Sequence, residues 1–291
     1  MPERPGADQA RRGLRALFGP ERPESSTQRG RMDGRSGAGM CFSAPCQDLM
    51  TYLAGARVRS EDDSSGYPHS LAAVRALPDI ELSQTTILVG DNGSGKSTLV
   101  EALAVAADFN AEGGSRNLMF ETHATHSALA GDLELRWHKR PRWGWFLRAE
   151  TFYGMATHIE RDEWLKPEFP NLHARSHGES FLDIIDAKMQ SDGLFLLDEP
   201  ESALSFHGQL KLLSVMHQAT LDGAQFVLAT HSPILMSFPG ASIYELGDNG
   251  AQRVSFDEAE AVMLWRSFLG SPERFFHHLF DDGSADEPQN D

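Results

Sequence analysis

Short apolar runs alternate with stretches in which apolar residues recur at helical spacing. Thr85–Val89 (TTILV) is a β-branched run bounded by turn residues, which predicts a buried strand. Ser97–Ala107 follows it, with Leu99, Val100, Leu103 and Ala106 on one helix face. Tyr52–Val58, Gly144–Arg148, Leu194–Leu197, Phe226–Ala229 and Ser242–Leu246 predict further strands, and Leu204–Ala219 predicts a helix. Ser271-Pro272-Glu273 predicts a helix start, with Ser as cap, Pro in the first turn and Glu at the positive end of the dipole. Strands that alternate with helices point to an α/β fold with a largely parallel sheet.

The pattern fades at both ends. Residues 1–49 are rich in Gly, Pro, Ser and Arg and are expected to be disordered, with a short helix possible around Arg11–Phe18. Met32, Met40 and Met50 are candidate alternative starts. Residues 1–35 hold eight Arg against five acids, whereas the whole chain has a formal charge of -16. Residues 281–291 hold five acids and no base, and read as an acidic disordered tail. Ordered structure is expected over residues 50–280. The acidic balance argues against tight non-specific binding to nucleic acid, which rests on Lys and Arg neutralising phosphates. Two cysteines, Cys41 and Cys46, are too few for a disulfide-stapled domain. No apolar run approaches the roughly 20 residues of a membrane span, so a cytoplasmic protein without direct membrane insertion is expected.

The most specific signal is Gly90-Asp91-Asn92-Gly93-Ser94-Gly95-Lys96-Ser97-Thr98. It fits G-x4-G-K-[ST], directly after a predicted strand and before a predicted helix. Glycines let backbone N–H groups turn inward around phosphate oxygens, and the helix N-terminus adds partial positive charge. Lys96 would reach the β- and γ-phosphates of a nucleotide, and Ser97 would place its hydroxyl on Mg²⁺. Further on, Leu194-Phe195-Leu196-Leu197 ends in Asp198-Glu199-Pro200. Two adjacent carboxylates can divide the labour. Asp198 would hold Mg²⁺, and Glu199 would polarise the water that attacks the γ-phosphate. His231, in Ala229-Thr230-His231-Ser232-Pro233 at the end of the next predicted strand, could donate a hydrogen bond to that phosphate.

These elements, in this order, resemble ABC-type P-loop ATPases. The resemblance implies a mostly parallel central sheet flanked by helices, a small antiparallel β part and a helical arm. It also implies ATP and Mg²⁺ as ligands and an ATP-dependent head-to-tail homodimer. The family's signature segment, which caps the γ-phosphate of the opposite subunit, aligns with Ser176-His177-Gly178-Glu179-Ser180. Ser176 and Gly178 match its Ser and second Gly, while His177 and Glu179 depart from it. Phe109–Ser115, Phe146–Glu150, Ser176–Phe181 and Pro272–Arg274 resemble, more narrowly, the bacterial stand-alone "AAA family ATPase" group.

Three departures stand out. No Gln lies between Lys96 and the signature segment, so the family's usual Gln near Mg²⁺ is missing, and Glu150 is the expected substitute. Ser205 stands where the family places Asp after the acidic pair. The adenine-stacking aromatic ahead of the phosphate loop would be Tyr67. Lys96 and Ser176 are only 80 positions apart. A two-way coiled coil of 100 Å needs about 130 helical residues, so the arm must be a reduced one. The first functional reading is a soluble ATPase that acts as a nucleotide-driven dimerising switch on a protein or nucleic-acid client, in DNA metabolism or defence. Two alternatives stay open: the ATP-binding subunit of a transporter, and a low-turnover nucleotide-dependent binding switch.

Overall fold

The computed structural model describes residues 51–59, 74, 80–111, 113–114, 129–152, 157, 177–189 and 192–280. In chain order the elements are β1 (Leu53–Val58), β2 (Ile80–Glu81), β3 (Thr85–Val89), α1 (Lys96–Ala106), α2 (Leu129–Asp132), β4 (Leu133–Trp137), β5 (Gly144–Arg148), α3 (His177–Lys188), β6 (Leu194–Asp198), α4 (Phe206–Leu221), β7 (Gln225–Ala229), α5 (Pro233–Met236), β8 (Ser242–Gly247), β9 (Gly250–Val254), α6 (Glu260–Gly270) and α7 (Pro272–Phe280). The predicted helix at Arg11–Phe18, the two tails, Tyr67, Ser176 and most of the arm segment lie outside the described residues.

The main sheet has the order β5-β6-β7-β3-β8-β9. Its neighbours run parallel except β8 and β9, which form an antiparallel hairpin. Strands β3, β6 and β7 are buried at every position, as a sheet covered on both faces requires. Alternate side chains feed two cores. Ile87, Val89, Phe195, Leu197, Phe226 and Leu228 pack with Phe181 and Ile184 of α3 and with Leu212 and Met216 of α4. Leu88, Leu194, Leu196 and Val227 face the other way, onto Leu99, Val100 and Leu103 of α1. The same second core takes Leu53, Ile80 and Leu133 from a three-stranded antiparallel sheet of order β2-β1-β4. This sheet is the small antiparallel part that the family resemblance implies.

A buried amide joins the two sheets. Gln225, at the start of β7, is 1% exposed. Its Nε2 donates to the carbonyls of Leu53 and Ser83 at 2.8 and 2.9 Å. Its Oε1 accepts from the N–H groups of Tyr52 and Leu53 at 3.0 and 2.8 Å. All four bonding positions of the side chain are thereby satisfied.

The helix predicted from Leu204 begins at Phe206 instead. Pro200–Ala203 forms a 3-10 turn, and Ser205 caps the helix by accepting from the Gly208 N–H at 3.2 Å. Strands β2, β4 and β9 and helices α2, α3, α5 and α6 were not predicted. Strand β2 has only two residues, and β9 (GAQRV) pairs as an edge strand without an apolar run. None of the described helices is long and apolar enough to cross a membrane.

Candidate nucleotide site

The phosphate-loop residues connect β3 to α1, and the backbone explains the glycines. Gly90 has φ +141°, and a Cβ there would collide with the Leu246 carbonyl oxygen. Gly95 has φ 99° and sits at the N-cap of α1. Any other residue would be strained at these two positions. Lys96 is 3% exposed. Its Nζ donates to the carbonyls of Gly90 and Asp91, both at 2.9 Å. Burial lowers the Lys96 pKa, opposed by the charges of Glu199, Asp198, Asp91 and Glu201. Asp91, Asn92 and Gly93 are exposed at the loop tip. Ser97 and Thr98 lie in the first turn of α1.

The parallel register brings three strand ends together. Arg148 of β5 is level with Asp198 of β6, which is level with Ala229 of β7. Asp198 is 3% exposed and hydrogen-bonds the Ser97 side chain. Burial pushes its pKa up to about 6, against the opposing pull of Ser97 and Arg148. Glu199, the next residue, has φ 46° and ψ 50°. A non-glycine residue there holds a strained backbone, a feature that clusters at functional sites. The Glu199 N–H donates to the Ala229 carbonyl at 2.9 Å. His231 Nε2 lies 3.6 Å from Glu199 Oε1, and the His231 N–H donates to Glu201 Oε1 at 2.5 Å. Ser232 caps α5, accepting from the N–H groups of Ile234 and Leu235, and Pro233 takes the first turn.

A cavity of about 550 Å³ opens between Ser97, Arg148, Glu150, Asp198, Glu199 and Ser202. A second, of about 400 Å³, lies between Gly90–Ser94 and the β8–β9 hairpin. Six buried side-chain atoms among the described residues lack a hydrogen-bond partner: Ser94 Oγ, Trp145 Nε1, Arg148 Nε, Asp198 Oδ1, Glu201 Oε2 and His231 Nε2. Five of the six belong to this region. Orphaned polar atoms are costly unless a ligand meets them, so this donor and acceptor set fits a polyanion with its cation.

Among the sequence-predicted residues, the structure gathers Lys96, Ser97, Asp198, Glu199 and His231. Glu150 lines the same cavity as Ser97 and Asp198, but its side chain is 81% exposed and lies 3.5 Å from Arg148. Gly178 and Glu179 open α3. Gly178 also has a packing reason to be small, because a Cβ there would come within 2.9 Å of the Ala203 carbonyl oxygen. Sequence reasoning missed Arg148, Glu101 and Glu201. Arg148 Nη1 binds Glu101 Oε2 at 2.8 Å, and its Nε is 3.3 Å from Asp198 Oδ2. The legible signal was position: Arg148 ends its strand as Asp198 ends the neighbouring one.

The family model described as "AAA domain, putative AbiEii toxin, Type IV TA system" matches residues 85–136 and 180–237. Those two stretches contain the phosphate loop, and the acidic pair with His231. An uncharacterized ABC transporter ATP-binding protein from Haemophilus influenzae is 24% identical over 233 residues, covering 69% of this chain and 84% of that protein. These two likenesses, together with the geometry of the site, support an ABC-type P-loop ATPase. Solved structures similar to this chain include the SMC head domain from Thermotoga maritima, 15% identical with a TM-score of 0.39, covering 70% of this chain and 99% of that one. They also include an ATP binding subunit of an ABC transporter, 17% identical with a TM-score of 0.41, covering 79% of this chain and 100% of that one.

Proposed function

We propose that this ATPase domain binds ATP with Mg²⁺, hydrolyses it to ADP and phosphate, and uses the nucleotide to join two copies head to tail. The observation that carries the reading is the convergence of Lys96, Ser97, Asp198, Glu199 and His231 at the ends of β3, β6 and β7. Lys96 Nζ exchanges the carbonyls of Gly90 and Asp91 for β- and γ-phosphate oxygens. The loop amides and the α1 N-terminus take the remaining negative charge. Ser97 and Asp198 would hold Mg²⁺, which when bound neutralises developing charge on the phosphates. Glu199 accepts the proton of a water aligned with the γ-phosphorus, and His231 donates a hydrogen bond to the γ-phosphate. Tyr67 is the candidate base-stacking residue. Ser176, Gly178 and Glu179 of a second copy would cap the γ-phosphate, and Glu150 would stand near the cation.

A soluble switch acting on a protein or nucleic-acid client is the first reading, in DNA metabolism or in defence. The family model's description, with its toxin–antitoxin system, supports the defence setting. The printed name of the Haemophilus influenzae relative favours a second reading, the ATP-binding subunit of a transporter.

Light scattering of Glu199→Gln tests the switch. With ATP and Mg²⁺ the mass is expected to double, and with ADP it is expected to stay that of one chain. A variant that binds ATP yet remains a monomer sinks the switch and leaves nucleotide binding intact. An integral membrane protein recovered with the tagged chain from native membranes would favour the transporter instead.

A further inference from the structure

Arg148 makes a three-way contact that the hydrolysis chemistry does not call for. Its guanidinium is largely buried, with 22% of the side chain exposed. Nη1 is fixed to Glu101 Oε2 at 2.8 Å, Nη2 lies 3.5 Å from Glu150 Oε2, and Nε lies 3.3 Å from Asp198 Oδ2. Glu101 stands one helical turn after Ser97 on α1, on the same side of the helix. One arginine therefore bridges the phosphate-loop helix, its own strand end and the acidic strand end. Its Nε is buried without a hydrogen bond, and so is Asp198 Oδ1. The Nε–Asp198 contact is thus a charge contact rather than an aligned hydrogen bond, whereas the Glu101 contact is both.

Arg148 and Ser97 line the same cavity as Asp198 and Glu199. The carboxylates of Glu150, Asp198 and Glu199 line this space, and Glu101 stands on the far side of the Arg148 guanidinium. Negative charge of this kind attracts a divalent cation unless a positive group opposes it. Resting on the reading of Ser97 and Asp198 as the cation's holders, we propose that Arg148 is a positioning residue: tethered by Glu101, it guards Asp198 in the nucleotide-free protein, so that a divalent cation is admitted only together with phosphate oxygens. A phosphate chain over Lys96 adds negative charge beside Asp198 and tips the balance from the guanidinium alone to guanidinium plus cation. Glu101 keeps the displaced guanidinium nearby, ready to return when product leaves.

The probe is Mn²⁺ without nucleotide, measured by electron paramagnetic resonance on the full chain. The parent should bind it weakly. Arg148→Gln should bind it tighter by on the order of tenfold or more, because one opposing charge within 4 Å has gone. Arg148→Lys, which keeps the charge, should stay near the parent. Equal Mn²⁺ affinity in the parent and Arg148→Gln would overturn the proposal, as would a Lys variant that behaves like Gln. If Arg148→Gln does not fold, Glu101→Gln serves. An untethered guanidinium should pair more strongly with Asp198 and raise the Mn²⁺ needed to reach half-saturation with ATP several-fold, and an unchanged requirement overturns the proposal. ATP binding by the parent is measured in parallel. If it is absent, the nucleotide reading fails; if it is present and Mn²⁺ binding ignores Arg148, only the guarding role fails.

Discussion

The two ends of β7 treat buried polar groups in opposite ways. At its start, Gln225 spends every donor and acceptor on the backbone of β1 and of the turn before β3. At its finish, beyond Ala229, His231 Nε2 is buried without a hydrogen-bond partner, and so are Asp198 Oδ1 on the adjacent strand and Ser94 Oγ in the phosphate loop. A folded chain keeps unmet polar atoms only where something overrides their cost. The Gln225 end therefore reads as scaffold, holding one sheet to the other. The opposite end reads as a receptor whose bonding is completed from outside the chain. The strained Glu199 backbone belongs to that end as well.

The largest effect should come from the receptor end. Lys96→Ala removes the ammonium group that, on the proposed reading, would replace bulk water around the phosphates. ATP affinity should fall by about 10²-fold or more, with a much smaller change in melting temperature. Calorimetry that finds unchanged affinity would show that the loop is only a turn.

The scaffold end should answer in stability instead. Gln225→Ala strands two N–H groups and two carbonyls in the interior, at a cost on the order of 3 kcal/mol. Urea unfolding should show the loss, while ATP affinity of the folded fraction stays put. If the variant loses ATP affinity but not stability, the division between the two ends is wrong.

A third effect lies between them and depends on pH. Asp198 has its pKa raised by burial from 3.8 to about 6. Between those values the folded chain holds a proton that the unfolded chain has released. Stability from this group is therefore present below about pH 4, declines as pH rises to about 6, and then levels off, a total on the order of 3 kcal/mol. Asp198→Asn lacks that decline. The nucleotide-free variant should melt above the parent at pH 7 and level with it near pH 4, while losing the Mg²⁺ dependence of ATP binding. Parallel stability curves for the two proteins from pH 4 to 6 would contradict the assignment.

The smallest effect is expected far from both ends. Arg57 and Glu134 form a 2.7 Å ion pair between β1 and β4, with 56% and 40% of their side chains exposed. Exposed pairs gain little over their solvated partners. Arg57→Ala should leave the melting temperature unresolved from the parent, and a clear drop would mean that surface charge matters more here than burial.

Much of this was legible beforehand for physical reasons. Strands buried on both faces show as continuous apolar runs, so Thr85–Val89 and Gly144–Arg148 were predicted with the bounds they have in the structure. The phosphate loop is legible because its backbone demands glycine at fixed positions. Strands β4 and β9 were not legible, because half-exposed edge strands mix charge with apolar residues. Arg148 was hidden for a different reason. Nothing local distinguishes an arginine at a strand end, and its meaning comes from Asp198, fifty positions later, becoming its neighbour through parallel pairing. Glu199 could be named as the candidate base from the sequence, but its left-handed backbone could not be foreseen.

The central claim is that Lys96, Asp198, Glu199 and His231 form one site that binds and cleaves ATP. Single-turnover cleavage of γ-labelled ATP, with protein in excess and Mg²⁺ present, tests it most directly when the parent and Glu199→Gln are compared. The account predicts that both retain the nucleotide, that the parent releases labelled phosphate, and that the variant does so more slowly by about 10²-fold or more. Equal rates in the two proteins, or no retained nucleotide in either, would contradict it.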